Sequence, residues 1–507
     1  MKIEKDNITN NNVSSMLMWL IVALCPLLTI LYSFILQKWT WGLMDDLQIL
    51  ESGSTIMERS ISYLKTTRAF GQFKPLHAFH SGIFYTLFEH APHHFHIFKL
   101  LEICLVLLIW GYAAYRITHR KIVITLLPAI TLSFHYFYDA FFYLPAHEMT
   151  GLLFLGVSMH FFLSHLKDDF NANLDEKQAG ITQLHWKSFL LGLFFLLCSF
   201  WSKEPFVSCG MALALSYFFL AWFNRETRYV KSASLFATIL LFVTSAHAFI
   251  LLKFVKSAYT SSYAINNISK LSSNIMSWLR KDFINHIPWV MGAALIFYLA
   301  NKKIGIKKAL SELSIRIKWG ICLGIFLYFG FFLILLPWNT VAYYATPFGL
   351  FFAFTVVLLI SGCLPKISVR WQTFMVISAL LMNQFVCLYA LKRESIYQYD
   401  TMNLMAWFNK DNSIRTYSQN NMILCNAMEA SGAIPGLINK QWDLHLKSFR
   451  WSLDPDELID EKKTSFYLFS PRFHSIDLNK LNQWKIVFYS KNWIMYSRLK
   501  DTAERIR

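Results

Sequence analysis

The sequence predicts a mainly helical, polytopic membrane bundle of about eleven spans, carrying a small α/β domain at its C-terminal end. Three observations lead there. Hydrophobic residues make up 55% of the 507 and charged residues only 16%, where a soluble domain averages about 25%. Mean hydropathy is +0.37. The apolar residues gather into runs suited to crossing a bilayer, and beyond residue 391 the composition turns sharply more charged. Such a chain is neither disordered nor an ordinary soluble enzyme.

The first run, 16–36, is too long for a signal-peptide core and lacks a small-residue cleavage site. It reads as an uncleaved span. The others fall near 97–115, 122–137, 146–166, 188–201, 205–223, 232–252, 287–301, 319–336, 344–362 and 371–391. The short runs 188–201 and 287–301 need flanking residues to complete a crossing. This divides the chain into a membrane domain, 1–391, and an outer domain, 392–507.

Net charge is +17, from 48 Lys+Arg against 31 Asp+Glu. No basic stripe lies on a soluble module, so nucleic acid is not an expected partner. The excess fits loops that hold topology. With the N-terminus inside, the inner segments carry 19 Lys and Arg and the longer outer segments 11. Arg116, Arg120 and Lys121, and Lys302, Lys303, Lys307 and Lys308, are the best markers. Eleven crossings then put the C-terminal domain outside. Eight cysteines, most of them in apolar runs and none in a CxxC pair, form no disulfide or zinc framework.

The polar outliers all fall on the outer side: Asp45–Asp46, Asp139, His147–Glu148, Lys203–Glu204 and Asn339/Tyr343. Ionisable groups at the hydrocarbon boundary are costly and usually functional, so a shared side suggests one site. The first outer segment, 37–96, opens with Asp45 and Asp46 just after the first span. Adjacent carboxylates can supply a base toward an acceptor hydroxyl, or bind a divalent cation; a solvated turn or helix cap is the plainer reading. Two interfacial helices follow. One has Ile56, Met57, Ile61 and Leu64 on a face, with Ser54 or Thr55 as cap and Glu58 near the capping-box position. The other opens at Pro75 and carries Leu76, Phe79, Ile83 and Leu87 on a face. His77, His80, His90, His93, His94 and His96 crowd this region. Pro92 interrupts them and no HExxH is present, so headgroup contact or packing is favoured over a transition metal.

His147 and Glu148 start the fourth span, where the helix dipole suits a carboxylate. In WSKEP, 201–205, Lys203 and Glu204 interrupt two apolar runs and Pro205 opens the next. Lys203 suits a lipid-linked phosphate, with Glu204 holding it; a charged hairpin turn is the alternative. Tyr343, in PWNTVAYYATP, reads as a belt residue or a site contact. The polar segment 255–286 reads as a mobile loop, with Arg280 and Lys281 as candidate anion contacts. In the tail, Met422–Cys425, Ser465–Phe469, Lys485–Tyr489 and Trp493–Ser497 read as strands, the last two as a hairpin.

The order of these features resembles the GT-C superfamily of integral-membrane glycosyltransferases, particularly bacterial members related to protein O-mannosyltransferases. The residues that carry the resemblance are Asp45–Asp46, QFKPLHAFH at 72–80, the turn before His147–Glu148, WSKEP at 201–205 and AYYATP at 342–347. It covers about 1–362 and a similarly placed tail. It implies a bacterial inner-membrane enzyme that moves a sugar, with inversion, from a polyprenyl-phosphate carrier to an outer-face acceptor. Asp46 or Asp45 is then the implied base or metal ligand, and Lys203 the implied phosphate contact. One departure is Ala342 before Tyr343, where many relatives carry Arg. Arg68, Lys74 and Arg280 are substitutes for it. The alternative function is a transporter or flippase for a lipid-linked or sugar substrate. That reading calls for internal repeats and midplane helix breaks, neither visible in the sequence.

Overall fold

The computed structural model describes residues 25–37, 49, 53–69, 72–89, 91–142, 144, 147–171, 186–223, 227–254, 268–281, 286–301, 313–335, 345–363, 369–410, 422–425, 449–451, 464–469 and 484–498. They form a predominantly helical chain that divides into two compact units. One comprises residues 1–33, 64–80 and 97–388, and the other 34–63, 81–96 and 389–507.

Among the described residues each expected apolar run falls mainly on helix. The described helices are α1 (Cys25–Gln37), α2 (Ile56–Ala69), α3 (Pro75–Leu87), α4 (Pro92–Thr118), α5 (Ile122–Thr131), α6 (His135–Phe142), α7 (Glu148–Asn171), α8 (Trp186–Ser202), α9 (Val207–Phe223), α10 (Thr227–Phe254), α11 (Ile268–Lys281), α12 (Ile287–Asn301), α13 (Ile315–Leu335), α14 (Thr346–Cys363) and α15 (Val369–Lys410). Among the described residues five helices are long and apolar enough to cross a membrane, or six if α5 and α6 count as one span. Five shorter apolar helices lie at the remaining runs. The chain is a multi-pass membrane protein.

The run 122–137, expected as one straight span, is instead two helices bent by 86°. Pro128 lies inside α5 and brings no backbone donor. The hydroxyls of Thr131 and Ser133 then take the carbonyls of Leu127 and Ile130, which competes with helix continuation. The bent pair still makes a crossing. Glu102 of α4 meets Thr150 of α7, Trp110 donates to the Leu152 carbonyl, and Arg116 donates to the His160 carbonyl. The contacts advance together along both helices, so α4 and α7 run parallel. From Glu102 to Arg116 is about 21 Å of helix at 1.5 Å per residue. The chain between α4 and α7 must return over that length.

A second difference concerns segment 255–286, expected as a mobile loop. Residues 268–281 form α11, and Trp278 packs 4.3 Å from the Phe332 ring of α13. Arg280 is exposed on it. The spacing of Ile275, Trp278 and Leu279, free of Gly and Pro, supports the helix.

In the second unit, Thr55 and Glu58 form a reciprocal capping box at the start of α2: the Thr55 hydroxyl accepts from the Glu58 N–H, and Glu58 accepts from the Thr55 N–H. These bonds, with two to Ser54, hold the Glu58 carboxyl below its ordinary pKa. Ile56, Met57 and Ile61 are exposed while Arg59 is buried. Arg59 donates to Gly53 O, Tyr85 O and Thr86 Oγ1 and pairs with Glu89 at 2.8 Å. An apolar face turned outward over a buried cation suits a helix lying in the membrane interface.

The C-terminal strands are β1 (Met422–Cys425), β2 (Phe449–Trp451), β3 (Thr464–Phe469), β4 (Trp484–Tyr489) and β5 (Ile494–Arg498), in sheet order β2-β1-β3-β5-β4. The β4–β5 hairpin is antiparallel, closed by the Ser490 N–H on the Trp493 carbonyl at 2.8 Å. Strand β2 was not expected. Helix α15 continues to Lys410. In this unit it holds the hairpin through Asp400, which accepts from the Asn492 amide, and Thr401, which accepts from the Trp493 indole.

Candidate functional site

Four segments of the first unit meet in a buried polar group: the start of α3, the first half of α4, the start of α7 and the turn after α8. Each is placed by its local sequence. Lys74 caps α3, its carbonyl accepting from Ala78, so His77 and His80 fall on the first turns. His147 caps α7, its carbonyl accepting from Gly151. Lys203 is extended, with φ −162° and ψ 135°, between α8 and the short 3-10 turn Glu204–Phe206 that Pro205 helps to form. Gly151 admits this turn. A Cβ there would lie 2.3 Å from the Phe206 ring.

Lys203 forms a buried ion pair with Glu148. Glu204 accepts from the Phe73 N–H at 2.7 Å and so ties the turn to the segment before α3. Lys74 donates to Gln72 Oε1 at 2.6 Å and lies 3.2 Å from His147 Nε2. His147 Nδ1 in turn meets His77 Nε2. A lysine ammonium has no acceptor, so the chain has one direction: Lys74 donates to His147, and His147 donates to His77. His80 stacks 6.0 Å from His77. Deeper in the bundle, Glu102 accepts from Thr150 at 2.6 Å and pairs with Lys99 at 2.8 Å.

Burial governs the charge states. It holds the His77 imidazole well below its ordinary range, with His80 and nearby lysines adding to the effect. His80 is pushed down to about 4, first by burial, with Glu102 opposing and Lys99 adding. Lys203 is also well below the ordinary lysine range, from burial and the neighbouring Lys74, with Glu204 opposing. The group is therefore a set of neutral imidazoles among lysines and glutamates.

Five residues expected from the sequence come together here: Lys74, His147, Glu148, Lys203 and Glu204. Arg68 does not. It is exposed on the last turn of α2 and, among the described residues, bonds to none of this group. Asp45, Asp46 and Tyr343 lie outside the described residues. Among the described residues no three His, Cys, Asp or Glu side chains are arranged to hold a metal ion. The sequence reading did not single out Lys99, Glu102 or Thr150. Opposite charges three residues apart in an apolar run were the available signal.

No protein family and no curated protein matches the chain by sequence. By structure it is similar to the crystal structure of ArnT from Cupriavidus metallidurans bound to undecaprenyl phosphate, with a TM-score of 0.50 over 95% of this chain and 98% of that one. The chain shares the fold of that structure. Sequence identity to ArnT is 10%, so the likeness is one of architecture. The shared fold agrees with the expected helical bundle and small terminal sheet.

Proposed function

We propose that this protein is a membrane glycosyltransferase that takes a sugar from a polyprenyl-phosphate carrier and passes it, with inversion, to an acceptor at the outer face. The observation that carries this reading is the buried Lys74–His147–Glu148–Lys203 group in a helical bundle that shares the fold of ArnT. A lipid-linked phosphate entering between helices needs fixed cations at the helix ends. ArnT, of like fold, was solved with undecaprenyl phosphate.

In this reading the carrier phosphate is a diester of one negative charge, linked to the sugar's anomeric carbon. The acceptor hydroxyl attacks that carbon from the opposite face. The bond to the phosphate oxygen breaks, and the leaving monoester gains negative charge. Lys74, held by Gln72 and His147, and Lys203, paired with Glu148, stabilise that charge more in the transition state than before it. The hydroxyl proton passes to Asp46 or Asp45. A divalent cation at these carboxylates belongs to the same proposal. The acceptor is a protein, lipid or glycan hydroxyl.

The test is reconstitution of the full chain in vesicles with a polyprenyl-phosphate sugar and membrane-derived acceptors. Mass spectrometry should find free polyprenyl phosphate and a glycosylated acceptor in equal amounts. Movement of the intact lipid-linked sugar across the bilayer, with no bond broken, would overturn the enzyme reading in favour of a flippase.

A further inference from the structure

The far end of the α4–α7 pair carries a second polar group that the proposed reaction does not use. Arg116, in the last turn of α4, donates to the His160 carbonyl at 2.9 Å and to Ser164 Oγ at 3.0 Å. Arg316, in the first turn of α13, lies 2.6 Å from His119 Nε2. The two helices approach closely there, since a Cβ at Gly320 would lie 3.2 Å from the Ile117 side chain. His119 ends α4 with φ 54°, a left-handed conformation, and exposed Arg120 and Lys121 follow at once.

Charges that serve only to orient a membrane protein need no fixed geometry, and are best left exposed. Here two half-buried arginines on different helices meet the same end of α4: Arg316 bonds His119, three residues on from Arg116, and Arg116 is itself fixed to α7 by a carbonyl and a hydroxyl. Among the described residues no carboxylate pairs with Arg116, Arg120 or Lys121. Guanidinium groups so placed match the paired oxygens of a phosphate. The group lies about 21 Å along α4 from Glu102, which is the span of a bilayer leaflet and more. A phosphate there belongs to the opposite membrane face from the Lys74–Glu148 group.

We infer that Arg116 and Arg316, with His119, form a binding site for the phosphate of an anionic phospholipid headgroup in that opposite leaflet. The ligand chemistry is a phosphodiester, presented by the bilayer. Arg120 and Lys121 supply the surrounding positive field. The site is independent of the sugar-transfer reading.

The experiment uses the full chain purified in mild detergent, probed with phosphatidylglycerol, phosphatidylcholine and inorganic phosphate. Native mass spectrometry should show phosphatidylglycerol retained in preference to phosphatidylcholine. Arg316→Gln, which leaves the Arg116 bonds to α7 in place, should weaken that retention about tenfold or more, as expected for loss of one charged hydrogen-bonding partner. Arg116→Gln/Arg316→Gln should abolish the preference. Lys485→Gln, an exposed cation on β4, should leave it unchanged. Equal retention in Arg316→Gln, or an equal loss in Lys485→Gln, would overturn the site. Displacement of phosphatidylglycerol by inorganic phosphate at equal concentration would assign the arginines to a free anion and overturn the lipid inference.

Discussion

Thr150 donates a 2.6 Å hydrogen bond to the carboxylate of Glu102 inside the bundle. This contact and that of Arg116 with His160, further along, make α4 and α7 parallel. Segment 119–147 must therefore cross, bent as it is. Eleven crossings, as expected from the apolar runs, place the two termini on opposite sides. A reporter fused after Arg507 should be active on the side opposite the N-terminus. Activity of that fusion on the same side as an N-terminal fusion would show that another of the shorter helices fails to cross.

Lys74→Ala and Lys203→Ala should each lower sugar transfer. Charged hydrogen bonds contribute ~1.5–3 kcal/mol, so about a 10- to 150-fold loss in kcat/KM is expected. Lys203→Ala strands Glu148 without its buried partner, a change that costs ~3–5 kcal/mol. A lowered thermal midpoint in detergent should accompany it. Unchanged transfer in Lys74→Ala would remove it from the phosphate site.

Asp45 and Asp46 are adjacent, so their side chains point in different directions and only one can serve as base. Asp46→Asn or Asp45→Asn, but not both equally, should lower transfer by ~10²–10⁴-fold with normal membrane insertion. Full activity in the double variant would end the catalytic role of this pair.

Gly151→Ala should destabilise the protein, because its methyl would collide with the Phe206 ring that supports the Lys203 turn. Overpacking of this kind costs ~1–3 kcal/mol. Gly292→Ala, with open space at that position, is the control and should cost much less. Equal midpoints for the two would mean that the turn can shift freely.

Acid should loosen the site. Burial depresses the folded-state pKa of His77 and His80 below the unfolded value of about 6.5. Between those values the unfolded chain binds protons that the folded chain does not, so stability is present above pH ~6.5 and lost as pH falls. The expected slope is at most ~1.4 kcal/mol per pH unit for each histidine. Midpoints measured from pH 7.5 to 5 should fall, and fall less steeply in His77→Gln. A flat profile would contradict the buried, neutral imidazoles.

The helices were legible because apolar runs and caps are local. The Thr55–Glu58 box and the Ser490–Trp493 hairpin are written in neighbouring residues. The bend at Leu132–Phe134 was hidden because HYFY reads as apolar as a straight helix, while the hydroxyls that end α5 act through the backbone. Of the candidate site, sidedness was readable and contact was not. Nothing local says that Lys74 meets His147, or that Thr150 reaches Glu102. Lys99 and Glu102 were overlooked because a single apolar run was averaged over them.

That last pair bears on how the protein is made. Lys99 and Glu102 neutralise one another within a single helix, three residues apart. A lone charge near a helix centre resists entry from the translocon into lipid by ~2.5–3.5 kcal/mol. The second span can thus leave the channel as a nearly neutral segment, before Thr150 or His147 has been synthesised. Its assembly partner arrives later, when α7 emerges and the hydroxyl of Thr150 claims a carboxylate that has already been carried into the membrane.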